Sequence, residues 1–265
     1  MYAFAYHRPS SVAEALELLR GAEDGKLMAG GQTLIPTLKQ RLAQPSDVID
    51  LGGVAELAGI CEDGAGLVVG GMTPHAAVAG SELVRGKIPG LAALAEAIGD
   101  PQVRNLGTLG GSLANNDPAA DYPGAVLGLG ATVVTDRRRI EADDFFTGMF
   151  ETALEEDELI VSVSFPVPQQ SAYAKFPNPA SRYAMAGAFV AVLADGSVRV
   201  AVTGAGPCAF RWSEAEAALA GGRDAAKLEG LSLAADGLNS DMHGSAAYRA
   251  HLVKVMTKRA LQALA

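Results

Sequence analysis

Two glycine-rich stretches hold the residues best suited to chemistry in this chain of 265 residues. The first is Ala29-Gly30-Gly31-Gln32-Thr33, and the second is Gly107-Thr108-Leu109-Gly110-Gly111-Ser112, followed by Asn115, Asn116, Asp117 and Asp121. Successive backbone N–H groups in such turns can form an anion-binding concavity, strengthened where a helix N-terminus lies behind it. Glycine lets that backbone approach a ligand closely, and Thr108 and Ser112 add hydroxyls. A pyrophosphate needs backbone donors and no nearby carboxylate, whereas a ribose or ribityl chain needs acceptors for its hydroxyls. Taken singly, a Gly-Gly after a strand is more often a tight turn. Two such loops followed by carboxylates suggest a dinucleotide with sugar hydroxyls. Asp121 is the better ligand of the two aspartates, and Asp117, which precedes Pro118, the better helix or turn cap.

Other chemistries find little support. Neither loop matches G-x-G-x-x-G, and no phosphate-binding G-x-x-x-x-G-K-[ST] occurs, so a Rossmann site and a P-loop are disfavoured. His7, His75, His243 and His251 lack paired ligand spacing and suit surface or core roles. No G-x-S-x-G elbow is present. Cys61 and Cys208 form no C-x-x-C pair and read as two buried free thiols. The acidic run Glu155–Glu158 reads as a solvated loop and the basic run Arg137–Arg139 as a solvated turn. With no protein-borne nucleophile or metal centre in view, a cofactor is expected to carry any chemistry.

The elements that must position these loops fall into three segments. In the first, Ser11 with Glu14 fits a capping box ahead of an apolar helix face that ends at Gly21. A strand over Lys26–Ala29, a helix over Leu34–Leu42 and a strand over Asp47–Leu51 make a βαβ unit, which predicts parallel strands. In the second, strands are expected at Gly66–Met72, Gly130–Thr135 and Glu158–Pro168, with a helix over Ile88–Gly99. The second glycine loop has no obvious helix immediately after it. In the third, Tyr183–Leu193 and Ser197–Gly206 are apolar strands joined at Asp195-Gly196, a hairpin signal. Ser213–Leu219 and Ala246–Leu264 read as helices.

Composition narrows the class. Hydrophobic residues make up 49%, enough for a buried core and against disorder. With 21 basic and 30 acidic residues the net charge is −9, which does not fit a nucleic-acid footprint. No apolar run is long enough to span a bilayer, and the opening MYAFAYHRPSS lacks the pattern of a secretory signal. A soluble, cytoplasmic protein is expected.

Longer stretches carry a family resemblance. AGGQTLIPTLKQRL, IGDPQVRNLGTLGGSLANNDPAADYP, DDFFTGMFETALEEDELIVSVSFP and RYAMAGAFVAVL resemble the FAD-binding medium subunit of molybdenum hydroxylases, the carbon monoxide dehydrogenase and xanthine dehydrogenase group. The opening FAYHRPSSVAEALELL and the closing YRAHLVKVMTKRAL extend the resemblance over nearly the whole chain. It implies an α+β protein with a two-subdomain FAD-binding domain of the vanillyl-alcohol-oxidase (PCMH) type. An N-terminal subdomain at 1–52 and a second at 53–170 would precede a C-terminal antiparallel sheet with helices at 171–265. The stretch from Ala29 through Gly30, Gly31, Gln32 and Thr33 to Leu34, with Thr108, Gly110, Gly111 and Ser112, would hold the pyrophosphate. Asp121 would meet the sugar hydroxyls, with Asp117 beside it. Ile98 would lie against the adenine and Ile160 near the isoalloxazine, with Lys175 and Tyr183 flanking the flavin ring. Tyr183 equally fits a strand-start core aromatic. The family usually has Thr or His where Gln32 stands and Asn where Ser112 stands; both substitutes keep hydrogen-bonding groups.

The resemblance also implies a heterotrimer in which non-covalent FAD takes electrons from [2Fe–2S] clusters of a small subunit. Substrate would be hydroxylated at the molybdopterin centre of a large subunit, with no metal in this chain. A stand-alone flavin reductase or oxidase and a flavin-free assembly protein are the alternatives.

Overall fold

The first parallel sheet forms around one capped helix. In the computed structural model, which describes residues 1–64 and 66–264, β1 (Ala5–His7), β2 (Gly25–Met28) and β3 (Asp47–Asp50) pair in the order β1-β3-β2, all parallel. Helix α1 (Val12–Gly21) joins the first two; the Ser11 hydroxyl accepts from the Glu14 N–H, and the Glu14 carboxylate accepts from the Ser10 N–H. Its buried residues Ala15, Leu16 and Leu19 cover the sheet with Ile49. Helix α2 (Leu34–Lys39) is shorter than its apolar pattern suggests, because Arg41 turns into the left-handed region at φ 60°.

The second unit holds strands β4 (Ile60–Asp63) and β5 (Gly66–Gly70), then a run of short helices: α3 (His75–Gly80), α4 (Glu82–Lys87), α5 (Pro89–Glu96), α6 (Pro101–Leu106), α7 (Leu109–Asn115) and α8 (Tyr122–Leu129). Then come β6 (Thr132–Thr135), β7 (Arg139–Glu141), α9 (Ala142–Phe145) and the small hairpin β8 (Phe146–Gly148) and β9 (Glu151–Thr152), closing with β10 (Ile160–Pro166). The antiparallel sheet runs β4-β5-β10-β6-β7. Cys61 lies on its edge strand and is exposed, and Cys208 is half-buried, so the expectation of two buried thiols fails. An edge strand leaves one side open to solvent, and β4 has no apolar layer over its outer residues.

Of the helices here, the sequence predicted only the one that became α5; α7 and α8 show why the others escaped it. Leu109–Asn115 is helical although Gly110 and Gly111 each disfavour helix by about 1 kcal/mol. Thr108 caps it by accepting from the Gly111 N–H, and the burial of Leu109 and Leu113 outweighs the propensity. Helix α8 is buried on every side, so it shows no amphipathic period to read.

The third unit is a sheet in the order β11-β12-β13-β14, built from β11 (Gln170–Pro177), β12 (Ala184–Val192), β13 (Val198–Thr203) and β14 (Phe210–Arg211), with helices α10 (Ser213–Leu219) and α11 (Ala246–Ala263). Every residue of β12 is buried. Phe189 and Ala191 face the second unit's core around α8, while Ala186, Val190 and Val192 face α11. A strand covered on both faces reads as a continuous apolar run rather than an alternating one.

Candidate functional site

A cleft of about 520 Å³ opens where the three units meet, within the range of roughly 300–1,000 Å³ of small-molecule sites. It exists because the two glycine loops touch. A Cβ on Gly30 would lie 1.9 Å from the Leu106 carbonyl oxygen, so only glycine allows this backbone approach. One turn further on, Gly111 sits against the Ala29 side chain. The residues singled out from 29 to 34, together with Thr108, Gly110, Gly111 and Ser112, all line this one cleft.

The loops differ in what they offer. Among the described residues, the amide N–H groups of Gly31, Gln32, Thr33 and Thr108 donate to no protein acceptor. Those of Gly110, Gly111 and Ser112 are committed to the Gly71 carbonyl, the Thr108 hydroxyl and the Thr108 carbonyl. The second loop is thus a capped helix start whose glycines supply closeness, while the first keeps more free donors. Asp117, Asp121, Ile98, Ile160 and Tyr183 also line the cleft. Asp117 accepts from the Ala119 N–H at 2.9 Å, as a turn cap does. Asp121 is 5% exposed and binds the Tyr173 hydroxyl and Lys175 Nζ. Lys175 is set behind Asp121 rather than in the wall: its ammonium donates to the Ala97 carbonyl at 2.7 Å and lies 3.1 Å from Asp121. Burial, with Asp117 and Asp121 nearby, raises the Tyr183 phenol above its ordinary pKa.

The comparisons with known proteins bear on the same elements. The family model described as FAD binding domain in molybdopterin dehydrogenase matches residues 2–168, and that of the CO dehydrogenase flavoprotein C-terminal domain matches 171–264. This chain belongs to the FAD-binding medium subunits of the molybdopterin dehydrogenases. It is 40% identical over 272 residues to the nicotine 6-hydroxylase medium subunit of Paenarthrobacter nicotinovorans, covering 98% of this chain and 96% of that one. It is 37% identical over 278 residues to the carbon monoxide dehydrogenase medium chain of Hydrogenophaga pseudoflava, with the same coverage. A solved carbon monoxide dehydrogenase from that organism, lacking the Mo-pyranopterin moiety of its cofactor, superimposes with a TM-score of 0.91 at 38% identity over 99% of this chain and 97% of that one.

In this medium subunit the donor set fits an FAD-type dinucleotide: free amides and a glycine cradle at one end, a buried carboxylate at the other. Two further cleft residues were invisible in the sequence. His75 is 5% exposed, its ring lies against Gly107, and burial with Arg104 nearby pushes its pKa down to about 4, so the imidazole is neutral at pH 7. Nothing in its spacing marks it. Glu158 also lines the cleft, and it corrects the reading of the acidic run as solvated at that one residue, while Arg137–Arg139 are exposed as expected. Its side chain is fully covered; Arg138 binds both of its oxygens at 2.8 and 2.7 Å, and Thr135 adds a hydroxyl donor at 2.7 Å. Arg137 meets Asp157 at 3.0 Å, and Asp157 also takes Arg20 of α1 at 2.9 Å, tying the first unit to the second beside the cleft.

The Arg138 guanidinium holds the Glu158 carboxyl down at about 2, against burial. A carboxyl depressed by folding contributes stability above its unfolded pKa of about 4.3, and that contribution fades as pH falls toward the folded value. Glu158→Gln is therefore expected to cost about 2 kcal/mol at pH 7. The difference from wild type should shrink between about pH 4.5 and pH 2, as read by chemical denaturation. Among the described residues no helix is long and apolar enough to cross a membrane, and no cluster of His, Cys, Asp or Glu could hold a metal ion.

Proposed function

We propose that this chain is the electron-transferring flavoprotein of a molybdenum hydroxylase complex. It takes electrons from [2Fe–2S] clusters of a small partner subunit and passes them to an external acceptor, with hydroxylation at the molybdopterin centre of a large partner. Bound FAD supplies the redox chemistry, because a flavin can accept electrons singly and release them in pairs. The chain's own part is to bind, orient and shield it. The free amides of residues 31–33 and of Thr108 hold the diphosphate, with Ala29, Gly30 and Leu34 shaping the first turn and Gly110, Gly111 and Ser112 the facing surface. Asp121 accepts from sugar hydroxyls, Ile98 packs on the adenine, and Ile160 and Tyr183 border the ring, with Lys175 acting through Asp121. Functionally the chain divides at 52/53 and 170/171, and it works in the cytoplasm.

The observation that carries this proposal is the backbone contact between Gly30 and Leu106, which brings both turns to one cleft. Relatives named as medium chains or subunits support the assignment to a complex. Titrating the apoprotein with FAD is expected to quench flavin fluorescence with a micromolar or tighter Kd. Acid precipitation should then release all the flavin, as a non-covalent cofactor requires. An apoprotein with no affinity for FAD would end the proposal.

A further inference from the structure

The wall that carries Asp121 is built from behind by β11. Tyr173 and Lys175 stand two residues apart on that strand, so both side chains leave the same face. Across the ladder Tyr173 pairs with Phe189 and Lys175 with Gly187. The Tyr173 hydroxyl donates to Asp121 Oδ1, and Lys175 Nζ approaches the same carboxylate at 3.1 Å. The phenol has a slot made for it: a Cβ on Gly187 would lie 2.5 Å from the Tyr173 hydroxyl oxygen, and the ring of Phe189 sits 6.4 Å from that of Tyr173. A carboxylate has about four acceptor positions. Two donors bind this one from behind while it still lines the cleft.

We propose that Tyr173 is a positioning residue of the flavin site, its hydroxyl holding Asp121 as an oriented carboxylate that accepts from the sugar-chain hydroxyls of the bound dinucleotide. This rests on the FAD-binding role proposed above. Burial favours the protonated acid at Asp121, and Lys175 and Tyr173 oppose it. The other groups facing Asp121 do not replace them. Tyr122 on its own helix has a buried hydroxyl with no hydrogen-bond partner among the described residues, Tyr183 is half exposed, and His75 beside Tyr122 is neutral. Without the Tyr173 hydroxyl, Asp121 gains its proton at a higher pH and loses the orientation that sugar hydroxyls require.

The test compares FAD titrations of wild-type, Tyr173→Phe and Tyr122→Phe apoproteins at pH 8 and pH 6, with thermal melts to confirm folding. Wild type and Tyr122→Phe should bind with affinities that differ less than threefold between the two pH values. Tyr173→Phe should bind more weakly at both, and roughly tenfold more weakly at pH 6 than at pH 8. Gly187→Ala, which keeps the hydroxyl but displaces it, should share that pH dependence and stands in if Tyr173→Phe does not fold. A folded Tyr173→Phe or Gly187→Ala with the wild-type affinity and pH profile would overturn the role of Tyr173 alone. Wild type without FAD affinity at either pH would instead overturn the flavin site itself, and this role with it.

Discussion

Gly30→Ala is expected to weaken FAD binding at least 100-fold, about 2.7 kcal/mol, and to lower stability by about 1–3 kcal/mol. The added methyl would sit 1.9 Å from the Leu106 carbonyl oxygen and 2.8 Å from the Gly107 Cα. Both are backbone atoms, with no rotamer to swing aside. The two turns must separate, and each moves the groups it presents: the free amides of residues 31–33 on one side, Thr108 and the start of α7 on the other. Separation by even an ångström spoils hydrogen bonds that need 2.7–3.2 Å. Gly21→Ala is the matched control, because among the described residues nothing beyond its own helix backbone and chain neighbours lies within 4 Å of its added methyl. Flavin fluorescence titration and a thermal melt of both variants check the expectation; a Gly30→Ala protein that keeps wild-type affinity would show that the turns need not touch.

The second large effect comes from Lys175→Met. Lys175 and Asp121 are buried together, with side chains 7% and 5% exposed. Removing the ammonium leaves a buried carboxylate with the Tyr173 hydroxyl as its remaining strong donor, and breaking a buried pair in this way costs about 3–5 kcal/mol. For a chain of this size that lowers the thermal midpoint by on the order of 10 °C. The penalty depends on pH. Burial raises the folded pKa of Asp121 above its unfolded value, so the destabilisation is largest above the folded pKa and disappears below the unfolded one. The variant should therefore recover toward wild type as pH falls from 8 to 4. The double variant Lys175→Met with Asp121→Leu should regain much of the loss at pH 7, since an apolar pair of similar size replaces a buried ion pair at little cost. Thermal melts across that pH range check both points. A constant offset at every pH would mean that packing, and not the stranded charge, dominates.

The two charged runs show where local reading stops. Arg137–Arg139 and Glu155–Glu158 look like solvated turns because each is polar over several residues. Folding sets Arg138 directly against Glu158, twenty positions away, and turns one member of the acidic run into part of the cleft wall. Helix α8 is the opposite case: its residues are so uniformly apolar that no period appears, and its place inside one core, packed between β12 and β13 on one side and α5 and α7 on the other, supplies the reason.

What the chain determines by itself is whatever depends on neighbouring residues. The capped first helix, the parallel βαβ unit, the hairpin at Asp195-Gly196 and the two glycine turns all follow from short-range periodicity, capping and turn chemistry. The tertiary structure alone decides which of those turns meet, that the Gly110 and Gly111 amides of the second loop are spent on the Gly71 carbonyl and the Thr108 hydroxyl, and that Lys175 stands behind Asp121. Those outcomes come from contacts between residues tens of positions apart, where burial and hydrogen-bond satisfaction outweigh local propensity.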